Sequence, residues 1–300
     1  MKTDRLLIPL GFVAICLIWG STWLAIKWGY DAFPPLLGSA IRFLLASVIF
    51  AGILLVRKTP FPTSRSEWKA VWSLGVLGFG LAYGVVYLGQ QYIPSALASI
   101  LFTTYPFWVA IGNALILKET RMTPSKVLAL ILGFAGIVLI FGRKLTGFDW
   151  TYLGGMSLIL LSSLIQAVNL ITIRQWATRI SPIMLNFLSM AIGGGLLLIW
   201  SLLTESWTTV HFSASGLIST LYLTVVGSVL VFTIYWWLLS RVQAVTLSLS
   251  AFITPVVAVF VGYFLGGETL DLYVYAGGAI AISGILVYNL TDRTHSGNAS

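Results

Sequence analysis

Apolar runs of about twenty residues follow one another along this chain with almost nothing between them, and few folds accept that arrangement. A helix rising 1.5 Å per residue needs about that length to cross a hydrocarbon core ~30 Å thick. Ten runs are legible, at roughly 6–27, 36–56, 69–90, 95–117, 125–142, 152–173, 183–203, 214–239, 244–265 and 272–290. The breaks carry turn chemistry: Phe33-Pro34-Pro35, Pro60-Phe61-Pro62, Ile93-Pro94-Ser95, Thr123-Pro124 and Ser181-Pro182. None has room for a soluble catalytic domain. Only 9% of the 300 residues are charged, against about a quarter in a soluble domain. The chain therefore reads as an all-α integral membrane protein with ten transmembrane helices. "MKTDR" and the run after it resemble a signal peptide, but Leu6 to Ile26 is longer than an h-region and no A-x-A site follows. That run counts as the first span.

Basic residues give the orientation. Of 17 Lys and Arg, 13 fall in alternate loops beginning with the N-terminus, three (Lys27, Arg143 and Lys144) fall on the opposite side, and Arg42 lies within a span. An even number of spans then puts both termini in the cytoplasm of a bacterial inner membrane. The net charge of +8 is a topology signal and does not call for nucleic acid. Cys16 is the single cysteine, so no internal disulfide forms.

One pattern occurs twice. "LFTTYPFWVAIGNALILKE" ends span four and "AFITPVVAVFVGYFLGGE" ends span nine, with Pro106 to Glu119 matching Pro255 to Glu268. At an offset of 149, Ser99 falls on Ser248, Gly78 on Gly227, Tyr83 on Phe232 and Tyr87 on Trp236. At 147, Pro35 falls on Pro182, Trp19 on Gln166 and Thr22 on Asn169; at 148, Gly136 falls on Gly284. Ordered matches along both halves imply two five-helix repeats, 1–148 and 149–300. Five is odd, so the repeats are inverted, which places a substrate site near the midplane around a central cavity. The residues after 290 read as a short disordered tail.

"IWGSTWLAIKWG", "PPLLGSAIRFLLA" and "YIPSALASILFTTYPFWVAIGNALILKETRMTPSKVLALILGFAGIVLI" resemble the EamA family of the drug/metabolite transporter superfamily. The second half repeats the signature as "TLSLSAFITPVVAVFVGYFLGGETLDLYVYAGGAIAISGILVY". The resemblance covers about residues 8–290 and implies ten helices, a basket-like cavity and export of small metabolites, often amino acids. Among its subtypes the chain is most similar to the YddG-like exporters.

The candidate substrate-binding residues are Trp19, Thr22 and Trp23 on span one, Tyr83 and Tyr87 on span three, Thr103 and Trp108 on span four, Gln166 and Asn169 on span six, and Trp236 on span eight. Trp19, Thr22 and Trp23 share one helical face. Aromatic and hydrogen-bonding groups at mid-depth suit a pocket for neutral or zwitterionic molecules; interhelical packing is the competing account. Pro106 and Pro255 free the carbonyls of Phe102 and Ala251, giving either a hinge or a fixed kink. Arg42 is a structural tie or a holder of a substrate carboxylate. Glu119 and Glu268 are placed to fix loops or gates.

All nine carboxylates lie in loops or at helix ends and both histidines, His211 and His295, lie outside the spans. A proton-coupled cation exporter needs a mid-membrane acid, and a membrane protease needs a catalytic dyad or metal set. The expectation is therefore a secondary transporter rather than an enzyme, without cofactor or metal and without proton coupling. Its expected partners are a small-molecule substrate and the lipid bilayer, and it is expected to be a monomer. The alternatives are a nucleotide-sugar or lipid-linked sugar transporter, a channel or a membrane enzyme.

Overall fold

A computed structural model describes residues 2–117, 123–145, 149–176, 180–239, 241–242, 247 and 250–296. Glu119 and Ser248 lie outside the described residues. The described chain is helical throughout. It runs α1 (Lys2–Gly29), α2 (Pro35–Arg57), α3 (Arg65–Gln90), α4 (Ser95–Ile116), α5 (Pro124–Leu145), α6 (Trp150–Trp176), α7 (Pro182–Thr204), α8 (Ala214–Leu238), α9 (Ser250–Phe264) and α10 (Leu272–Ser296). Among the described residues, seven helices are long and apolar enough to cross a membrane (α1 from Leu6, α2, α3, α4, α6, α7 and α8). Shorter apolar stretches lie in α5, α9 and α10.

The turn residues open helices. Pro35 and Pro182 occupy first-turn positions of α2 and α7, where a missing N–H costs no hydrogen bond. Ser64 and Glu67 form a reciprocal capping box at the start of α3. Burial runs opposite to that of a soluble protein. Leu55, Val56, Leu203 and Ile218 face outward, while Arg42, Gln90, Thr104, Ser163 and Asn186 are buried. That is the distribution expected where lipid is the solvent and polar groups must find partners inside.

The packing repeats under a shift of five helices. α2 meets α7, α4 meets α9 and α5 meets α10, each pair mapping onto itself. The α1–α8 contact corresponds to α6–α3, and α1–α9 to α6–α4. The α5–α10 seam gives the symmetry a direction. Gly136 lies against Gly277 and Ala281, while Gly284 lies against Ala129 and Gly133. An offset of 148 converts one contact into the other. As the position rises along α5 it falls along α10, so the two helices are antiparallel. A two-fold rotation exchanging antiparallel helices has its axis perpendicular to them.

No side chain separates the backbones at this seam. A Cβ on Gly284 would stand 2.6 Å from the Ala129 carbonyl oxygen, and one on Gly277 would stand 2.5 Å from that of Gly136. Gly136→Leu is expected to force α5 and α10 apart, at about 1–3 kcal/mol for overpacking. Thermal unfolding of the purified protein should show a clear fall in Tm, and an unchanged Tm would show that the seam is loose.

α3 and α8 each contain a π-helical segment, Leu74–Ala82 and Val225–Leu230. Gly78 and Gly227, paired by sequence offset, lie in these two segments. The prolines behave differently from each other. α4 breaks at Thr103 and Thr104, just before Pro106, and resumes as Tyr105–Gly112. The two threonine hydroxyls donate back to the carbonyls of Ile100 and Leu101 at 2.5 and 2.9 Å, supporting a tight turn. Pro255 instead sits inside the continuous helix Ser250–Phe264.

Candidate functional site

The two π segments organise the centre of the molecule. A π turn holds its backbone one residue wider than an α turn, which shifts carbonyls out of the regular ladder. In α8, the Gly227 carbonyl accepts from Arg42 Nη2 at 2.8 Å, and the Ser228 hydroxyl accepts from Arg42 Nε at 3.0 Å. Ser228 in turn donates to the Leu223 carbonyl five residues back, at 3.0 Å. Arg42 Nη1 lies 3.4 Å from the Tyr87 hydroxyl. The guanidinium carbon also stands 5.0 Å from the Phe43 ring centroid and 5.2 Å from that of Tyr83. Arg42 is only 1% exposed. The guanidinium is thus held by polar and aromatic groups, bracing α2 against the π segment of α8.

Aromatic rings connect one π segment with the other. Phe79, inside the α3 segment, meets Phe232, just beyond the α8 segment, at a centroid distance of 5.8 Å. Trp19 extends this chain through Phe232 at 6.3 Å and Tyr235 at 5.5 Å. Tyr83 stacks on Phe79 at 6.0 Å and packs edge-on against Phe43 at 4.8 Å.

The sequence-nominated residues sort into five places. Trp19 and Tyr83 join the aromatic chain, with the buried Tyr87 beside Arg42. Thr22 and Asn169, paired by offset, do the same job in opposite halves. A Cβ on Gly227 would lie 2.9 Å from the Thr22 methyl, and one on Gly78 would lie 2.7 Å from Asn169 Nδ2. Asn169 accepts from the Ser73 hydroxyl at 3.2 Å and donates to Gln166 Oε1 at 3.3 Å. The Thr22 hydroxyl donates to the Trp19 carbonyl at 2.7 Å. Trp23 packs on Phe102 at 5.5 Å and its carbonyl accepts from Gln90 Nε2.

Trp108 and Thr103 lie away from the aromatic chain. Trp108 Nε1 donates to the Ser163 hydroxyl at 3.0 Å, beside the Thr104 hydroxyl, which is 2.8 Å from the same oxygen. Thr103 is buried at the helix break. Trp236 packs against the cluster of Ala70, Val71 and Leu185, and among the described residues its buried indole N–H has no hydrogen-bond partner.

Two carboxylates not nominated as substrate ligands tie the halves together. Glu268, between α9 and α10, caps the first turn of α4. Its Oε1 accepts from the Ser95 amide at 2.8 Å and from Lys27 Nζ at 2.9 Å. Its Oε2 accepts from the Ser95 hydroxyl at 3.0 Å and the Ala96 amide at 3.1 Å. Burial alone would raise the Glu268 carboxyl, but Lys27 and the two amides outweigh it and hold the group below its ordinary value. Glu205, just after α7, caps α2: the amides of Leu36 and Leu37 donate to it at 2.8 and 3.0 Å. Ser201 donates to the same carboxylate at 2.7 Å. Each acid satisfies helix N-terminal amides otherwise without partners. Glu205 gave no sequence signal beyond its place at a helix end.

Two like halves with apolar exteriors and a polar, aromatic interior define a polytopic helical membrane protein. The chain belongs to the EamA-like transporter family, which it matches at residues 6–142 and again at 153–290. It is 31% identical over 291 residues to the uncharacterized inner membrane transporter YedA of Escherichia coli (strain K12), covering 94% of this chain and 92% of that one. It is 26% identical over 285 residues to the uncharacterized transporter YoaV of Bacillus subtilis (strain 168), covering 95% and 97%. A protein solved by crystallography shares its fold, with a TM-score of 0.66 at 20% identity over 97% of this chain and 98% of that one. The protein is a multi-pass membrane transporter.

Proposed function

We propose that this transporter exports small neutral or zwitterionic metabolites, amino acids foremost, by alternating access across a bacterial inner membrane. The observation that carries the reading is the aromatic chain from Trp19 through Phe232 and Phe79 to Tyr83, set between two π segments and ending at Arg42. Aromatic faces with hydroxyl and indole donors bind such solutes without demanding net charge. Ten crossings arranged as two inverted repeats, 1–148 and 149–300, with both termini cytoplasmic, are part of the proposal. The antiparallel, self-symmetric α5–α10 seam supports it, as does the alternation of basic loops.

In this topology Lys27, the first turns of α2 and α4, Glu205 and Glu268 all lie on the external side. The two carboxylates then act as staples closing that side, and the described state is closed to the outside. Opening outward requires the cross-repeat bonds to break, which is how rocking repeats exchange access. Movement is downhill and without proton coupling. Glu268 stays ionised near neutrality because its carboxyl is held low. A sugar-nucleotide cargo would need several cations around its phosphates, and among the described residues Arg42 is the only cation in the aromatic chain.

Counterflow in proteoliposomes over amino acids, polyamines, sugars and organic cations tests the reading. Amino acids should exchange, and Tyr83→Ala should reduce exchange about tenfold or more, the worth of one good aromatic contact, while yielding folded protein. An imposed pH gradient with equal substrate on both sides should give no accumulation. Uphill accumulation abolished by an uncoupler would overturn the uncoupled mechanism; exchange of organic cations alone would overturn the cargo.

A further inference from the structure

We propose that a groove on the outer wall, between the start of α3 and the end of α6, is a binding site for one anionic phospholipid. The groove has a volume of about 460 Å³ and is lined by Arg65, Trp68, Lys69, Trp72 and Trp176 at one end and by Val76 and Leu77 further along. Arg65, Lys69 and Trp72 follow a single stripe of α3 at helical spacing, and Val76, in the π segment, continues the lining of the groove. The lining thus changes from cationic, through aromatic, to aliphatic in the direction that a lipid changes from headgroup to chain. Among the described residues no carboxylate lines the groove. Glu67, on the same turn, directs Oε2 to the amides of Thr63 and Ser64 at 2.9 Å, capping the helix.

The site is built rather than accidental. Lys69 Nζ sits 5.1 Å from the centre of the Trp176 ring, and the Ser66 hydroxyl donates to the Trp176 carbonyl at 3.0 Å. These contacts fix the two walls against each other. Trp72 is 54% exposed, presenting an indole where a membrane protein meets the headgroup layer. Two cations beside exposed indoles suit a phosphate at that depth. The occupant is a lipid rather than a soluble phosphate, because most of the lining is apolar and only a chain could cover it. Under the proposed orientation this end of α3 is cytoplasmic, where basic residues meet anionic lipid.

The test uses the full-length protein in mixed micelles, with phosphatidylglycerol and phosphatidylcholine of matched chains competing in native mass spectrometry. Wild type should retain one phosphatidylglycerol in preference to phosphatidylcholine and should gain Tm when it is added. The Arg65→Gln/Lys69→Gln double variant should lose about twenty-fivefold of that preference, about fivefold for each charge. Trp72→Ala should weaken retention of both lipids. Equal retention of the two by wild type, or an unaltered preference in the double variant, would overturn the proposal. So would displacement by glycerol phosphate, which would show a site for soluble anions. A dimer that dissociates in the double variant would assign the groove to a second copy instead. None of these readouts depends on transport, so the cargo and the lipid site can fail separately.

Discussion

Glu268→Ala is expected to shift the resting protein toward an outward-open state. Ser95 and Ala96 would lose the acceptor for their amides and the Ser95 hydroxyl would lose its partner. Losing a helix cap costs about 1 kcal/mol, and stranding further buried donors raises the total to about 2 kcal/mol. That is about a thirtyfold change in the balance between closed and open. Lys27 adds little, because it is 42% exposed while Glu268 is 4% exposed, and solvent screens the pair. Lys27→Ala should therefore shift the balance far less. Glu268→Gln should fall between wild type and Ala, since its amide oxygen keeps one acceptor while its nitrogen, facing N–H donors, cannot accept from them.

The readout is labelling from outside by an impermeant maleimide of Ser99→Cys, one turn inside the staple, in a Cys16→Ala background. Labelling should accelerate in Glu268→Ala and stay slow in Lys27→Ala. The pH dependence follows from the depressed carboxyl. A group held below its ordinary value contributes fully above that value and loses its contribution as pH falls through the lowered one. Divided by the rate of the same thiol in denaturant at each pH, since only the thiolate attacks the maleimide, labelling of the Ser99→Cys protein should then be flat between about pH 5 and 8 and rise only in stronger acid, below the ordinary carboxylate range near 4. A midpoint near neutrality would assign Glu268 a proton-carrying role and remove the staple.

The second large effect is expected at Arg42. Arg42→Ala removes the donors to the Gly227 carbonyl, Ser228 and Tyr87 and leaves a cavity between α2 and α8. An abandoned buried acceptor costs about 1–3 kcal/mol and the cavity adds to it, while deleting a buried charge returns part of the cost. A net loss of about 3 kcal/mol is expected. Arg42→Lys keeps the charge but not the fork, so it should lose about 2 kcal/mol. Thermal unfolding in detergent checks both. If Arg42→Lys matches wild type in Tm while amino-acid exchange collapses, the guanidinium serves cargo and not the π segment.

Much of the frame was legible locally. Hydropathy placed the helices near their observed positions, since a span is the property of one continuous segment. The paired offsets were legible too: Thr22 with Asn169 and Gly78 with Gly227 proved to be equivalent partners in two contacts. The aromatic stripes on α1 and α3 were visible from spacing alone, and Trp19 and Tyr83 do meet other rings. Phe79 and Phe43 completed that chain unannounced, and Phe232 was marked only as the repeat partner of Tyr83, because phenylalanine in a membrane span carries no signal separating lipid-facing from inward-facing rings.

What the sequence determined by itself is the membrane class, the helix order and the duplication, because each depends on residue character summed along the chain. Which side chains meet was decided only by the tertiary structure. Glu268 lies 173 residues from Ser95, and Trp108 lies 55 from Ser163. Such pairs depend on how far each helix is rotated about its axis and slid along its neighbour. The π turns in α3 and α8 and the break at Thr103–Thr104 reset that rotation partway along a helix. An even count of 3.6 residues per turn therefore misplaces every side chain beyond them.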